Sequence, residues 1–145
     1  MRVETILKAK GQAVETAAPH ADVRLVVHRL SRLGIGALVV SPDGSEVRGT
    51  ISERDIVQGL NKHGAGVLDL VASDIMSRNV PTCSTGDLLQ HVMAVMTRSR
   101  HRHLPVLDEN GHLCGIVSIG DVVKHRLDEM ELETNVMRDA YIAGR

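Results

Sequence analysis

The second half of this chain repeats its first, shifted by 66 positions without a gap, so that Val14 falls on Val80 and Val57 on Val123. Between those ends the shift also superposes Thr16/Thr82, Val26/Val92, Arg32/Arg98, Leu38/Leu104, Val40/Val106, Gly49/Gly115, Ser52/Ser118 and Asp55/Asp121. Apolar matches are what any shared fold demands. A serine and an aspartate three residues apart, just after an apolar run, are not needed by a core. A period this long marks a duplicated domain unit rather than a solenoid. Two such units packed face to face create paired clefts.

Periodicity gives each unit the order β-α-β-β-α. In the first, a short strand over 13–16 precedes a helix over 22–33, with Val23, Val26, Val27, Leu30 and Leu33 at helical spacing and Asp22 before them as N-cap. Gly34-Ile35-Gly36 ends that helix, and residues 37–40 read as a buried strand. Ser41-Pro42-Asp43-Gly44 is a turn by composition. It returns the chain as a strand over 47–51, followed by a helix over 53–60. The second unit replays this with a strand over 80–82 and a helix over 87–96 that turns Leu88, Leu89, Val92, Met93 and Met96 inward. A hairpin of 104–107 and 113–117 follows, and then a helix starting near Ile119. The expected division is an N-terminal helix (1–12), a first unit with its connector (13–66), a second unit (67–127) and an extended C-terminal helix (128–145). The fold class is α/β (α+β), with the two units related by a pseudo-two-fold axis.

At 145 residues the chain is long enough for a sizeable core, and 43% hydrophobic against 24% charged residues suits a globular body. A net charge of −1 gives no pull toward nucleic acid or an anionic membrane. The chain has no Trp, no Phe and one Tyr, so it lacks the rings on which single strands stack. Cys83 and Cys114 form no zinc spacing and read as two reduced thiols. The first twenty residues lack a signal peptide's apolar stretch, and no run approaches the roughly 20 apolar residues of a membrane span. The expected location is the cytoplasm, with neither nucleic acid nor membrane as a partner.

The repeated motif stands as Gly49-Thr50-Ile51-Ser52-Glu53-Arg54-Asp55 and as Gly115-Ile116-Val117-Ser118-Ile119-Gly120-Asp121. A carboxylate in the first turn of a helix can accept both hydroxyls of a ribose, and the helix N-terminus favours a nearby phosphate. The competing reading is structural, because Ser-x-x-Asp is also a variant of the helix capping box. Arg100-His101-Arg102-His103 is the dense basic cluster, able to hold phosphate through paired guanidinium bonds or to stand as a solvated turn. His101 and His103 have metal-like spacing, but no third ligand is evident.

In this frame the two motifs resemble those of paired cystathionine-β-synthase (CBS) domains, the Bateman module, as do Ile35-Gly36-Ala37-Leu38-Val39-Val40 and Arg102-His103-Leu104-Pro105-Val106. The resemblance spans residues 3–142 and matches small stand-alone bacterial members. It implies a sensor, not an enzyme, that binds AMP or a related adenosyl ligand (ADP, ATP, NAD(H) or S-adenosylmethionine) between the units. The module would form a homodimer and act on an unidentified effector protein. Ser52, Asp55, Ser118 and Asp121 would contact ribose and phosphate, and Arg54, Arg102 and His103 would reach phosphate. The adenine would lie against Thr16, Ile35, Gly36 and Ala37 in one unit and Thr82, His103, Leu104 and Pro105 in the other. Gly120 stands where the first unit has Arg54, and the first unit lacks the basic cluster, so the clefts should hold phosphate unequally. A ligand-free dimerisation scaffold and a hydrolase using His101, His103 and Asp121 are the alternatives. Against the hydrolase, the chain carries no nucleophile motif or Walker loop.

Overall fold

The computed structural model describes residues 1–11 and 13–144. Gln12 and Arg145, which end two of the segments drawn from sequence, lie outside the described residues. Among the described residues, six α-helices and six strands run in the order α1 (Val3–Lys10), β1 (Thr16–Ala17), α2 (Val23–Leu33), β2 (Ala37–Val40), β3 (Gly49–Ser52), α3 (Glu53–His63), α4 (Ala72–Ile75), β4 (Cys83–Ser84), α5 (Leu89–Ser99), β5 (His103–Leu107), β6 (Leu113–Ser118) and α6 (Ile119–Ala143). A 3-10 helix, Gly64–Asp69, links α3 to α4. The β-α-β-β-α order of each unit and the α+β class are as expected.

The strands form two three-stranded sheets, β1-β2-β3 and β4-β5-β6, each with a parallel pair followed by an antiparallel hairpin. Leu38, Val40 and Ile51 of the first sheet pack on Val26 and Leu30 of α2, and Leu104, Val106 and Val117 of the second on Val92 and Met96 of α5. The apolar faces marked by Val26, Leu30, Val92, Met96 and Val122 are thus spent inside the chain and are not free for a partner.

The segments before the two units exchange places. α1 buries Val3, Ile6 and Leu7 in the core of the second unit, tied by Val3 N–H to Asp87 O at 3.0 Å and Glu4 N–H to Thr85 O at 2.9 Å. The matching stretch at the start of the second unit, which runs through Ala72 to Ser77 ahead of β4, packs on the first in the same way, with Ala72 in its core and Ala72 N–H donating to Ala21 O at 2.8 Å. A further backbone bond, Leu113 N–H to Ser45 O at 2.8 Å, joins the second sheet to the turn of the first hairpin.

Three local expectations are corrected. Thr16 opens β1 instead of closing it, because the parallel ladder is confined to Thr16↔Val39 and Ala17↔Val40. The strand expected over 80–82 forms at Cys83–Ser84, beyond Pro81, which has no N–H for a ladder. Leu88 is exposed because α5 starts two residues later, at Leu89, and Asp87 instead turns its carboxylate to the Ser84 amide at 2.9 Å.

Candidate functional site

Each Ser-x-x-Asp motif sits where a last strand passes into a helix, Ser52 capping α3 and Ser118 capping α6. The Asp55 and Asp121 amides donate to those serine hydroxyls at 3.3 and 3.1 Å, and each serine amide donates to the aspartate Oδ2 at 2.9 Å. The capping box is therefore formed in both units. The next amides, of Glu53 and Ile119, donate to Gly36 O and Arg102 O at 3.0 and 2.8 Å. With these amides taken, those of Arg54 and Gly120 are left without an acceptor among the described residues.

The two aspartates then diverge. Asp55 is buried, its Oδ2 also accepting from the Ser52 hydroxyl at 3.0 Å and its Oδ1 from the Ser77 hydroxyl at 2.7 Å. Asp121 is partly exposed and receives the Lys10 ammonium on Oδ2 at 2.7 Å, while Lys10 also donates to Ile116 O at 3.1 Å. Burial pushes the Asp121 carboxyl up. Lys10 and the Ser118 amide pull it down more strongly and leave it below the usual carboxylate range. Oδ1 of Asp121 has no donor among the described residues.

A cavity of about 710 Å³ opens between the N-terminal end of α3 and the turn from α5 to β5. The first unit contributes Gly36, Thr50, Ser52, Glu53, Arg54 and Asp55, and Ser77 lies beside them. The second contributes Ser99 and the whole basic cluster, Arg100 to His103. Arg54 belongs to the first unit and Arg102 to the second, and the fold brings both to one cleft. The His103 ring approaches Gly36 so closely that a Cβ there would lie 3.0 Å from its Cε1 and Nε2. Burial lowers the His103 pKa below its ordinary 6.5, with Glu53 opposing. Arg100 ends α5 in the left-handed conformation at φ 61°, where the first unit has Gly34 at φ 64°. A side chain costs roughly 1–2 kcal/mol there.

The other expected site residues lie outside this cavity. Ala37 and Leu104 are buried in the cores, Pro105 is buried in β5, and Ile35 packs against the first core. Thr16 is half-buried at the start of β1, and Thr82 is exposed before β4. Ser118 and Asp121 lie with Lys10 at the end of α1. Sequence reasoning missed Lys10, Glu53 and Ser77. The 66-residue shift carries Lys10 onto Met76, beside Ser77, and so held the clue that the segments before the units are equivalent. Among the described residues, no three His, Cys, Asp or Glu side chains are grouped to hold a metal ion.

The CBS-domain family model matches residues 12–62 and 72–128. A solved CBS-domain protein from Agrobacterium tumefaciens is 39% identical, with a TM-score of 0.82 over 87% of this chain and 99% of that one. An uncharacterized protein of Methanopyrus kandleri is 29% identical over 86% of this chain, which spans 63% of that protein's length. The CBS pair of protein MJ0100, solved in complex with 5'-methylthioadenosine and S-adenosyl-L-methionine, has the same fold at 22% identity, with a TM-score of 0.78 over 89% of this chain and 98% of that one. Two family matches in tandem, each covering one β-α-β-β-α unit, make this chain a member of the CBS-domain family, carrying a pair of CBS domains.

Proposed function

We propose that the chain is a regulatory module that binds an adenine nucleotide in the cavity between its two units and passes the bound state to an effector protein. The observation that carries this reading is the convergence of Arg54, Arg100, Arg102 and the uncommitted Arg54 amide on one cleft at the capped end of α3. Guanidinium groups and a helix N-terminus together select a phosphate. The cavity lies within the size range of pockets that hold a small ligand. AMP is the first choice because it fills one cleft, and ADP, ATP, NAD(H) and S-adenosylmethionine are the related candidates. The adenosyl part rests on family membership and on the ligands of the MJ0100 pair, whose likeness to this chain is one of fold. Asp55 and Ser52 would hold the ribose, with Asp55 Oδ1 keeping one lone pair beyond the Ser77 hydroxyl. Asp121 and Ser118 would form a second, weaker ribose site, reached once Lys10 turns from carboxylate to phosphate.

The module works without catalysis, as a homodimer in the cytoplasm. Among the described residues, no helix is long and apolar enough to cross a membrane. The deciding experiment is a melting panel of nucleotides on the purified protein, with mass analysis of whatever co-purifies. Ligand at 100 times its dissociation constant adds about 2.7 kcal/mol, a shift of several degrees. AMP should outperform adenosine. No response to any nucleotide would leave the capping boxes as purely structural and make the chain a dimerisation scaffold.

A further inference from the structure

Helix α6 continues well past the body of the protein. Its first turns turn Val122, His125, Arg126 and Glu129 toward the core, whereas every described residue from 131 to 144 is exposed. An isolated helix this short is marginal in water. The exposed side is not random. Val123, Leu127, Met130, Thr134, Met137 and Tyr141 recur at alternating spacings of four and three, which is the core seam of a heptad repeat. Leu127, Thr134 and Tyr141 occupy one core position and Val123, Met130 and Met137 the other, along about 27 Å of helix. The seam lies on the exposed side, beside the strip that packs on the body, with Leu127 at 59% and Met137 at 74% exposure.

The occupant is set by charge. In a parallel two-stranded coil, a residue flanking the seam meets the one five places further on in the other strand. Arg126 would meet the partner's Glu131, and Glu133 would meet the partner's Arg138, opposite signs in both cases. An antiparallel pair over the same length would set Glu131 and Glu133 each against its own copy and Lys124 against the partner's Arg138. Every one of those contacts repels.

We propose that the α6 extensions of two copies of this chain wind into a parallel two-stranded coiled coil that holds the homodimer together. This rests on the homodimer reading but not on nucleotide binding. Arg126 already bonds Glu129 within its own helix, so the Glu133–Arg138 pair gives the cleaner test. Sedimentation equilibrium on the full chain should give twice 15.7 kDa. Met137→Glu should weaken the dimer at least a hundredfold. Glu133→Arg and Arg138→Glu should each weaken it by about tenfold, since the symmetric dimer carries the pair twice. Combining the two reversals should restore affinity to within about threefold. Melting of the monomeric fraction should be unchanged, because the altered side chains touch no core. A wild-type monomer would overturn both this interface and the homodimer reading. A dimer that survives Met137→Glu, or a double reversal without recovery, would overturn the coil and leave the homodimer reading intact, whereas a trimer that covers Leu132 and Val136 as well would overturn both.

Discussion

Asp55 and Asp121 hold matching places in the repeat, yet their surroundings assign them different costs. Removing the Asp55 carboxylate strands the Ser77 hydroxyl and the Ser52 amide beside a buried site, so Asp55→Ala should lose about 1–3 kcal/mol of ligand-free stability along with affinity. Asp121→Ala gives up a cap and a half-exposed ion pair, and should cost about 1 kcal/mol. Chemical denaturation of the two variants, compared by midpoint, checks the order. Equal losses would mean that the Ser77 contact contributes nothing. Arg100 is a sharper probe. Its left-handed backbone is strained for any side chain but glycine, and it lines the cavity. Arg100→Gly should therefore raise the ligand-free melting temperature by a few degrees while narrowing the gap between AMP and adenosine. Arg54→Ala and Arg102→Ala should narrow that gap as well, since both side chains reach the same cleft. A variant that kept the full gap would remove its arginine from the proposed phosphate site. His103 adds a pH dependence. Its pKa is lowered in the fold, so below pH 6.5 the unfolded chain takes up a proton that the folded chain resists. The stability contributed by neutral His103 is present in full above pH 6.5 and is lost as pH falls from there through the lower folded pKa. Melting at pH 5.5 and 7.5 should differ less in His103→Gln than in the wild type.

At the scale of elements, the glycines that open the two motifs explain themselves only in three dimensions. A Cβ on Gly49 would stand 2.2 Å from the Ser77 carbonyl, and one on Gly115 would stand 2.6 Å from a Leu7 methyl. Each glycine lets the crossing segment lie flat on its sheet. The Ser77 carbonyl is backbone, held by paired bonds with Thr50 at 2.8 and 3.1 Å, whereas Leu7 has a flexible end. Gly49→Ala should thus cost roughly 3 kcal/mol and Gly115→Ala roughly 1 kcal/mol, read as denaturation midpoints. The opposite order would mean that the segment at Ser77 moves more freely than α1. The sequence carries the helices and hairpins well, because α2 and α5 have apolar residues at helical spacing and β2 is a continuous apolar run. It carries β1 and β4 poorly, since two-residue strands leave no periodicity and are set by their parallel partner. The capping boxes were legible as one of two readings. The meeting of Arg54 with Arg102 was not, because it depends on how the units face each other. Nor was the placement of Ser77 and Lys10 on the aspartates, which comes from segments that cross between units.

That crossing governs the whole molecule. α1 precedes the first unit in sequence but completes the core of the second, while the segment ending at Ser77 completes the first. Neither unit is closed by its own stretch of chain, so neither can unfold without releasing a part of the other. Leu7 gives the test. It is 1% exposed, does not line the cavity and packs against Gly115 in the second unit. Leu7→Ala removes a fully buried side chain from a site that cannot collapse easily, and should cost about 2–5 kcal/mol. The loss should appear as one cooperative transition shifted to lower temperature, with both sheets melting together. Calorimetry joined to hydrogen exchange reads this directly, because amides of β2–β3 and β5–β6 should lose protection in step. A second transition in Leu7→Ala, with the first sheet still protected after the second has melted, would show that the exchanged segments do not couple the units. The signalling proposed for the cavity would then need another route, since a ligand bound between the units can report on both only if they respond as one body.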